Sequence, residues 1–213
     1  MEHYKIMKKF RFHIVFTFCL LSTLLLLVSC HTEKQSGQDF SFPLNEITID
    51  EIHRGYDSGR YTVKEIVSQY INRINNIDQA GPEINSVIIV NPDAVKIADS
   101  LDQIQKRGKN KGLLFGIPVL LKDNIDTHDK MPTTAGSRIL KDSFPLKDSW
   151  AAKKLRDEGA VILGKTNLSE WANYRASYSS SGWSGVGGQT KNPYVLDRNP
   201  CGSSSGSAVA VSA

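Results

Sequence analysis

From Thr62 to Leu163 the apolar residues switch repeatedly between helical and strand spacing, and this alternation limits the chain to few architectures. Val63, Ile66, Val67, Tyr70, Ile71 and Ile74 share one helical face, so the spacing predicts an amphipathic helix over 63–77. Thr62 supplies an N-cap, and Glu65 completes a capping box with it. Gly81-Pro82 breaks the chain, and Ser86–Val90 is a short β-branched run that reads as a buried strand. Asn91-Pro92 opens a second helix with Ala94, Val95, Ala98, Leu101 and Ile104 on one face, closing before Gly108. After a turn at Lys109–Gly112, residues 117–121 read as a strand that ends at Lys122. Residues 148–158 form a helix terminated by Gly159, and Ala160–Leu163 form a strand, with Gly164 opening the next turn. Helix and strand alternating in this way predict an α/β domain on a central sheet.

The N-terminus has a different character. Lys8-Lys9-Phe10-Arg11 precedes an apolar run from Ile14 to Val28, of signal-sequence rather than membrane-span length. The run ends in Leu27-Val28-Ser29-Cys30, which resembles a bacterial lipobox. Residues 1–29 are therefore read as a lipoprotein signal peptide, Cys30 as the lipidated residue, and 30–43 as a polar tether. A plain membrane anchor, or a secretory signal with an incidental cysteine, is the competing reading. The expected location is outside the cytoplasm, held to a membrane through lipid, in the periplasm or at the cell surface.

Composition excludes several classes. With 40% hydrophobic and 23% charged residues, the chain is neither a disordered tail nor a multi-span membrane protein. Its formal charge is +4, but Lys5, Lys8, Lys9 and Arg11 against Glu2 supply most of it, all within the leader. The near-neutral body gives no electrostatic case for a nucleic-acid partner. Cys19 leaves with the leader and Cys30 takes lipid, so Cys201 is the one free thiol and no disulfide framework is expected. His31, His53 and His128 are not in metal-ligand spacing, so neither a metal nor another cofactor is expected.

Two segments can carry chemistry. In Gly116-Ile117-Pro118-Val119-Leu120-Leu121-Lys122-Asp123-Asn124, a lysine closes an apolar strand. Burial there favours the neutral amine, which is a general base. Alternatively, Lys122 reaches solvent or pairs with Asp123 or Asp126. The second segment, Cys201-Gly202-Ser203-Ser204-Ser205-Gly206-Ser207, places several hydroxyls at a helix start, where serine also serves as an ordinary cap. It closes a stretch, 177–207, with nine serines and six glycines. A linker of that composition would not carry Tyr178, Trp183 and Tyr194, nor run into Ala208–Val211. A loop offering free N–H groups and hydroxyls to a ligand is the other reading. The segment is neither a phosphate-binding loop nor the nucleophile elbow of α/β-hydrolases.

Four motifs in order resemble the amidase signature family. They are Gly116–Asn124, Gly-Lys-Thr-Asn-(x)₂-Glu-Trp at 164–171, Gly-Gln-Thr-(x)-Asn-Pro at 188–193, and Gly-Ser-Ser-Ser-Gly-Ser-Ala at 202–208. The segments at 170–173, 181–184 and 199–203 are closest to bacterial peptide amidases. The resemblance covers about Leu44 to the end and implies a central mixed β-sheet flanked by helices, of which the N-terminal part is present. It implies a Ser–cisSer–Lys triad in which Lys122 is the base and Ser203 the bridging serine, with a cis Gly202–Ser203 peptide. The nucleophilic serine of the family follows the bridging serine by about two dozen residues in a Gly-rich loop. Ala213 comes before that point, so 44–213 is read as a truncated amidase domain, inactive by itself.

The expected substrate is a small-molecule or peptide amide, with peptide C-terminal amides as one candidate. Two other readings stand beside it. One is a glutamine-dependent enzyme like the A subunit of the amidotransferases, whose intracellular partners conflict with the leader. The other is a non-catalytic, ligand-binding lipoprotein, which would have no need of a buried base. The natural amide, the membrane leaflet and the oligomeric state stay open.

Overall fold

The computed structural model describes residues 43–108 and 112–213. The segment read as a leader, Cys30 and most of the expected tether lie outside the described residues, as does most of the turn expected at 109–112. Leu44–Ala213 form one compact unit.

Thr48 and Glu51 make a reciprocal capping box that starts helix α1, Ile49–Ser58. Sequence reading did not find this helix, although its capping pattern repeats the one at Thr62 and Glu65. The latter starts α2, Val63–Arg73, which runs on through a π-turn at Ile74–Asp78. The expected helix over 63–77 is thus present, with its last turn widened. Helix α3 spans Ala94–Lys106, and α4 spans Trp150–Asp157 with Ser149 as its cap.

The sheet is mixed, as expected for the family. Strands β1 (Val87–Val90), β2 (Pro118–Lys122) and β3 (Val161–Thr166) lie in the order β1-β3-β2. β3 is antiparallel to β1 and parallel to β2, and α4 lies on the crossover between the parallel strands. Only Val87 of β1 is buried, because this strand lies at an edge; the strand expected to be buried is half-buried.

Gly164 does not open a turn, contrary to the expectation from sequence: β3 continues through it to Thr166. A Cβ on Gly164 would lie 2.4 Å from the Ile89 carbonyl oxygen, so the glycine lets β1 approach rather than breaking the strand. The extension carries Lys165 and Thr166 into register with Leu121 and Lys122. One sheet face packs Leu121, Met131, Ala152 and Ile162 into a core. Helix α5, Ser205–Ser212, packs against β2 and β3. Among the described residues no helix is long and apolar enough to cross a membrane.

Candidate active site

The site is assembled at the C-terminal ends of two parallel strands. β2 delivers Lys122, and the register pairs it with Thr166 on β3. Side chains alternate across a strand, so Lys122 and Thr166 share a face while Leu121 and Lys165 share the other. On the first face lies the serine loop. Lys122 Nζ is 2.8 Å from Ser203 Oγ and 3.0 Å from Ser204 Oγ, and Thr166 Oγ1 is 2.7 Å from Ser207 Oγ. Lys122 and Ser203, the two residues singled out from sequence, are therefore in direct hydrogen-bond contact.

Burial lowers the pKa of Lys122 below its ordinary 10.5, because an amine with less water around it holds a proton less firmly. Asp123 does not neutralise it. That carboxylate is buried and turns the other way, accepting hydrogen bonds from Thr134 Oγ1 and from the Thr134 and Gly136 N–H groups. Burial raises the Asp123 pKa, against the pull of those donors and of Lys165. Asp123 thus organises the turn at 134–136 and leaves Lys122 to the serines.

The Gly202–Ser203 peptide is cis. Gly202 abuts Ser169, where an added Cβ would come within 2.5 Å of the hydroxyl. Ser169 holds the loop from two sides: its N–H donates to the Ser203 carbonyl at 3.1 Å, and its hydroxyl accepts from the Gly182 N–H at 2.9 Å. Gly206 then donates its N–H to the Asn167 carbonyl at 3.0 Å, which seats the start of α5 against the end of β3.

Asn167 explains why the Ser/Gly-rich stretch is ordered here rather than a linker. It is fully buried. Its amide nitrogen donates to the Gly188 carbonyl and to Thr190 Oγ1, while its amide oxygen accepts from Ser184 Oγ and the Leu168 N–H. Strands β4, Trp183–Ser184, and β5, Gly188–Gln189, form a short antiparallel hairpin around this amide. The Gly-Lys-Thr-Asn and Gly-Gln-Thr motifs are visible in the sequence, but sequence reading gives Thr166, Asn167 and Ser169 no role. The signal was available: polar residues of that density at the end of an apolar strand need partners when buried.

A cavity of about 420 Å³ is lined in part by Asn124, Thr133, Leu140, Leu168 and Trp171. Lys122 and Ser203 do not line it, but two of its lining residues neighbour theirs in the chain: Asn124 follows Lys122 by two positions, and Leu168 precedes the Ser169 that holds Ser203. Trp171 and Ala172 both adopt left-handed backbone, at φ 51° and 54°. Such a pair of side-chain-bearing residues is costly, and the Trp171 N–H donation to the Ala135 carbonyl at 3.0 Å helps to hold it. The turn leaves Trp171 partly exposed at the cavity. No cluster of metal-ligating residues exists among the described residues. Cys201 is an exposed free thiol.

The arrangement has counterparts among known proteins. The amidase family profile matches residues 65–213. An Arabidopsis thaliana protein named as a probable amidase is 43% identical over 190 residues, covering 88% of this chain and 36% of that protein. The A subunit of glutamyl-tRNA(Gln) amidotransferase from Alkaliphilus metalliredigens is 41% identical over 171 residues, covering 80% of this chain and 33% of the relative. The crystal structure of native peptide amidase from Stenotrophomonas maltophilia superposes with a TM-score of 0.77 at 47% identity, over 79% of this chain and 34% of its own. The chain spans about a third of the length of these relatives.

Proposed function

The chain belongs to the amidase family, and from that premise we propose that the protein hydrolyses a carboxamide C–N bond by acyl transfer to a serine. The observation that carries the reading is the 2.8 Å contact between Lys122 Nζ and Ser203 Oγ at the end of an apolar strand. A lysine whose hold on its proton is weakened by burial, with its amine on a serine hydroxyl, can act as a base coupled to a relay. The nucleophilic serine gives its proton to Ser203 Oγ as Ser203 passes its own to Lys122 Nζ. The nucleophile's oxygen bonds to the amide carbonyl carbon, and the C–N bond breaks as the proton returns through Ser203 to the leaving nitrogen. An ester remains on the serine; water attacks it with the same base and releases the carboxylic acid. The nucleophile and its oxyanion donors are proposed to follow Ala213 in sequence, in the place the family puts them. No metal or organic cofactor is needed for this chemistry.

Peptide C-terminal amides are the proposed substrate class. The support is the likeness to a structure named as a peptide amidase, together with a cavity of ligand-pocket size that Asn124, two positions after Lys122, helps to line. The amidotransferase relatives favour a second reading, in which glutamine is the amide that is opened. The basic flank, apolar run and Cys30 support export and a lipid anchor, which argue for the first reading. The test is ammonia release by the full-length protein from a peptide amide and from free glutamine. Release from the peptide amide is expected; release from glutamine alone would select the second reading, and release from neither would remove both.

A further inference from the structure

Lys165 is a second lysine beside the site, and the proposed chemistry does not use it. It lies on β3 opposite Leu121 and has no solvent exposure. Its side chain therefore leaves the sheet on the face away from Lys122, toward the apolar core of Leu121, Met131 and Ile162. A buried ammonium is costly unless its donors are satisfied, and a core of this kind would be filled as well by methionine. Lys165 is kept there with its donors committed. Nζ donates to the Ile125 carbonyl at 2.7 Å and to Thr133 Oγ1 at 2.9 Å. Burial lowers its pKa, while Asp123, Asp129 and Asp126 pull the other way.

Both acceptors belong to one segment. Residues 123–136 leave β2 directly after Lys122, turn over Lys165, and return to pair Ala135 N–H with the Asp123 carbonyl at 2.8 Å. Between the two acceptors the segment is braced by Asp129, which accepts from the Met131 N–H and pairs with Arg156 at 2.6 Å. Its other side faces the cavity, to which it contributes Asn124, Asp126, Thr133 and Ala135. The lysine thus holds, from behind, a wall of the cavity that begins two residues after Lys122.

We propose that Lys165 is a positioning residue: by tying Ile125 to Thr133 it fixes the 124–135 wall of the cavity and so sets the affinity for the acyl portion of the substrate. The catalytic consequence rests on the amidase reading above; the structural one does not.

The test uses full-length protein carrying Lys165→Met, Thr133→Val or both. Methionine keeps the bulk of the lysine stem and removes its donors; valine removes one acceptor and leaves the lysine. Amide hydrogen exchange should rise about tenfold across 124–135 in Lys165→Met, with α2 and α3 unchanged. For a peptide amide, KM should rise about tenfold with kcat within about threefold of wild type. For an amide of acetamide size, which does not reach the wall, KM should stay within about twofold. Thr133→Val should shift exchange and KM in the same direction by less, and the double variant should be no worse than Lys165→Met. Unchanged exchange across 124–135 would overturn the inference, as would a fall in kcat with KM unmoved, or equal KM losses for both substrates. If Lys165→Met does not fold, Thr133→Val decides by the same readouts. If the wild type releases no ammonia from any amide, the amidase reading fails and the exchange pattern alone decides whether Lys165 holds the wall.

Discussion

Lys122 and Thr166 are register partners across two parallel strands, and each grips one end of the same serine loop, Lys122 at Ser203 and Thr166 at Ser207. The loop is thereby docked onto the sheet at both ends, with Ser169 and Asn167 fastening its backbone between them. A relay that passes a proton between three side chains needs such a frame, since a shift of about 1 Å can cost about a hundredfold in rate.

The base role of Lys122 predicts a sharp difference between charge and chemistry. In the full-length protein, Lys122→Ala should lower kcat/KM for amide hydrolysis by about a thousandfold or more, with the circular dichroism spectrum preserved. Lys122→Arg should be as inactive, because a guanidinium keeps its proton at any working pH. Turnover by the Arg variant near that of wild type would rule out the base.

The pH profile has a definite sign. Burial lowers the Lys122 pKa, and only the neutral amine accepts a proton, so kcat/KM should fall on the acid side as Lys122 protonates. The midpoint of that limb should lie below 10.5, the ordinary lysine value. A limb centred at or above that value would mean that burial does not tune this lysine.

Gly206 is the tightest point between the serine loop and the sheet. A Cβ there would meet the Ser86 carbonyl oxygen at 2.3 Å and the Asn167 N and O atoms at 2.5 and 2.6 Å. All three are backbone atoms of segments bound to one another, so none can turn aside. Gly206→Ala should cost about 1–3 kcal/mol of stability. It should also lower activity more than the stability loss explains, because α5 must lift away and carry Ser203 from Lys122. Full activity with a lowered melting temperature would separate the two effects and refute the link.

Much of this could be read before any coordinates. The capped helix at Thr62 and the strands ending near Val90 and Lys122 follow from period and capping, and the choice of Lys122 and Ser203 follows from the resemblance of four motifs to the amidase signature family. What escaped had physical causes. Helix α1 is the exception, since Ile49, Ile52 and Tyr56 lie at helical spacing behind its Thr48–Glu51 capping box and both signals are present in the sequence. Gly164 looked like a breaker because a missing side chain reads the same whether it permits a turn or a close strand approach. The partners of Asn167 are long-range, at Ser184, Gly188 and Thr190, and no local pattern encodes them.

Asn167 yields the clearest stability prediction. Its side chain satisfies groups on both strands of the β4–β5 hairpin and on Thr190, all at a site without solvent exposure. Asn167→Ala would strand those donors and acceptors in the interior and leave a void. The expected cost is about 3 kcal/mol or more, read as a loss in chemical unfolding midpoint. Asn167→Asp should also destabilise, since a carboxylate cannot donate to the Gly188 carbonyl and meets the Thr190 hydroxyl only as an acceptor. Loss of the hairpin should loosen Gly182 from Ser169, so limited proteolysis should find new cleavage sites between Tyr178 and Pro200. A variant as stable and as protease-resistant as wild type would show that the amide is dispensable to the loop.

The last prediction concerns Cys30. Leu27-Val28-Ser29-Cys30 follows an apolar run with a basic flank, the order that a lipidated leader requires. Growth with a palmitate analogue should label the wild-type protein and leave Cys30→Ala unlabelled. A single acyl chain gives only marginal membrane binding, so stable anchoring calls for more than one chain on this residue and its backbone amine. Wild-type protein should accordingly sediment with membranes at high salt, whereas Cys30→Ala should keep the uncleaved leader or appear in the soluble fraction. Labelling of both proteins to the same extent would remove Cys30 as the site of attachment and, with it, the argument that export separates this chain from its amidotransferase relatives.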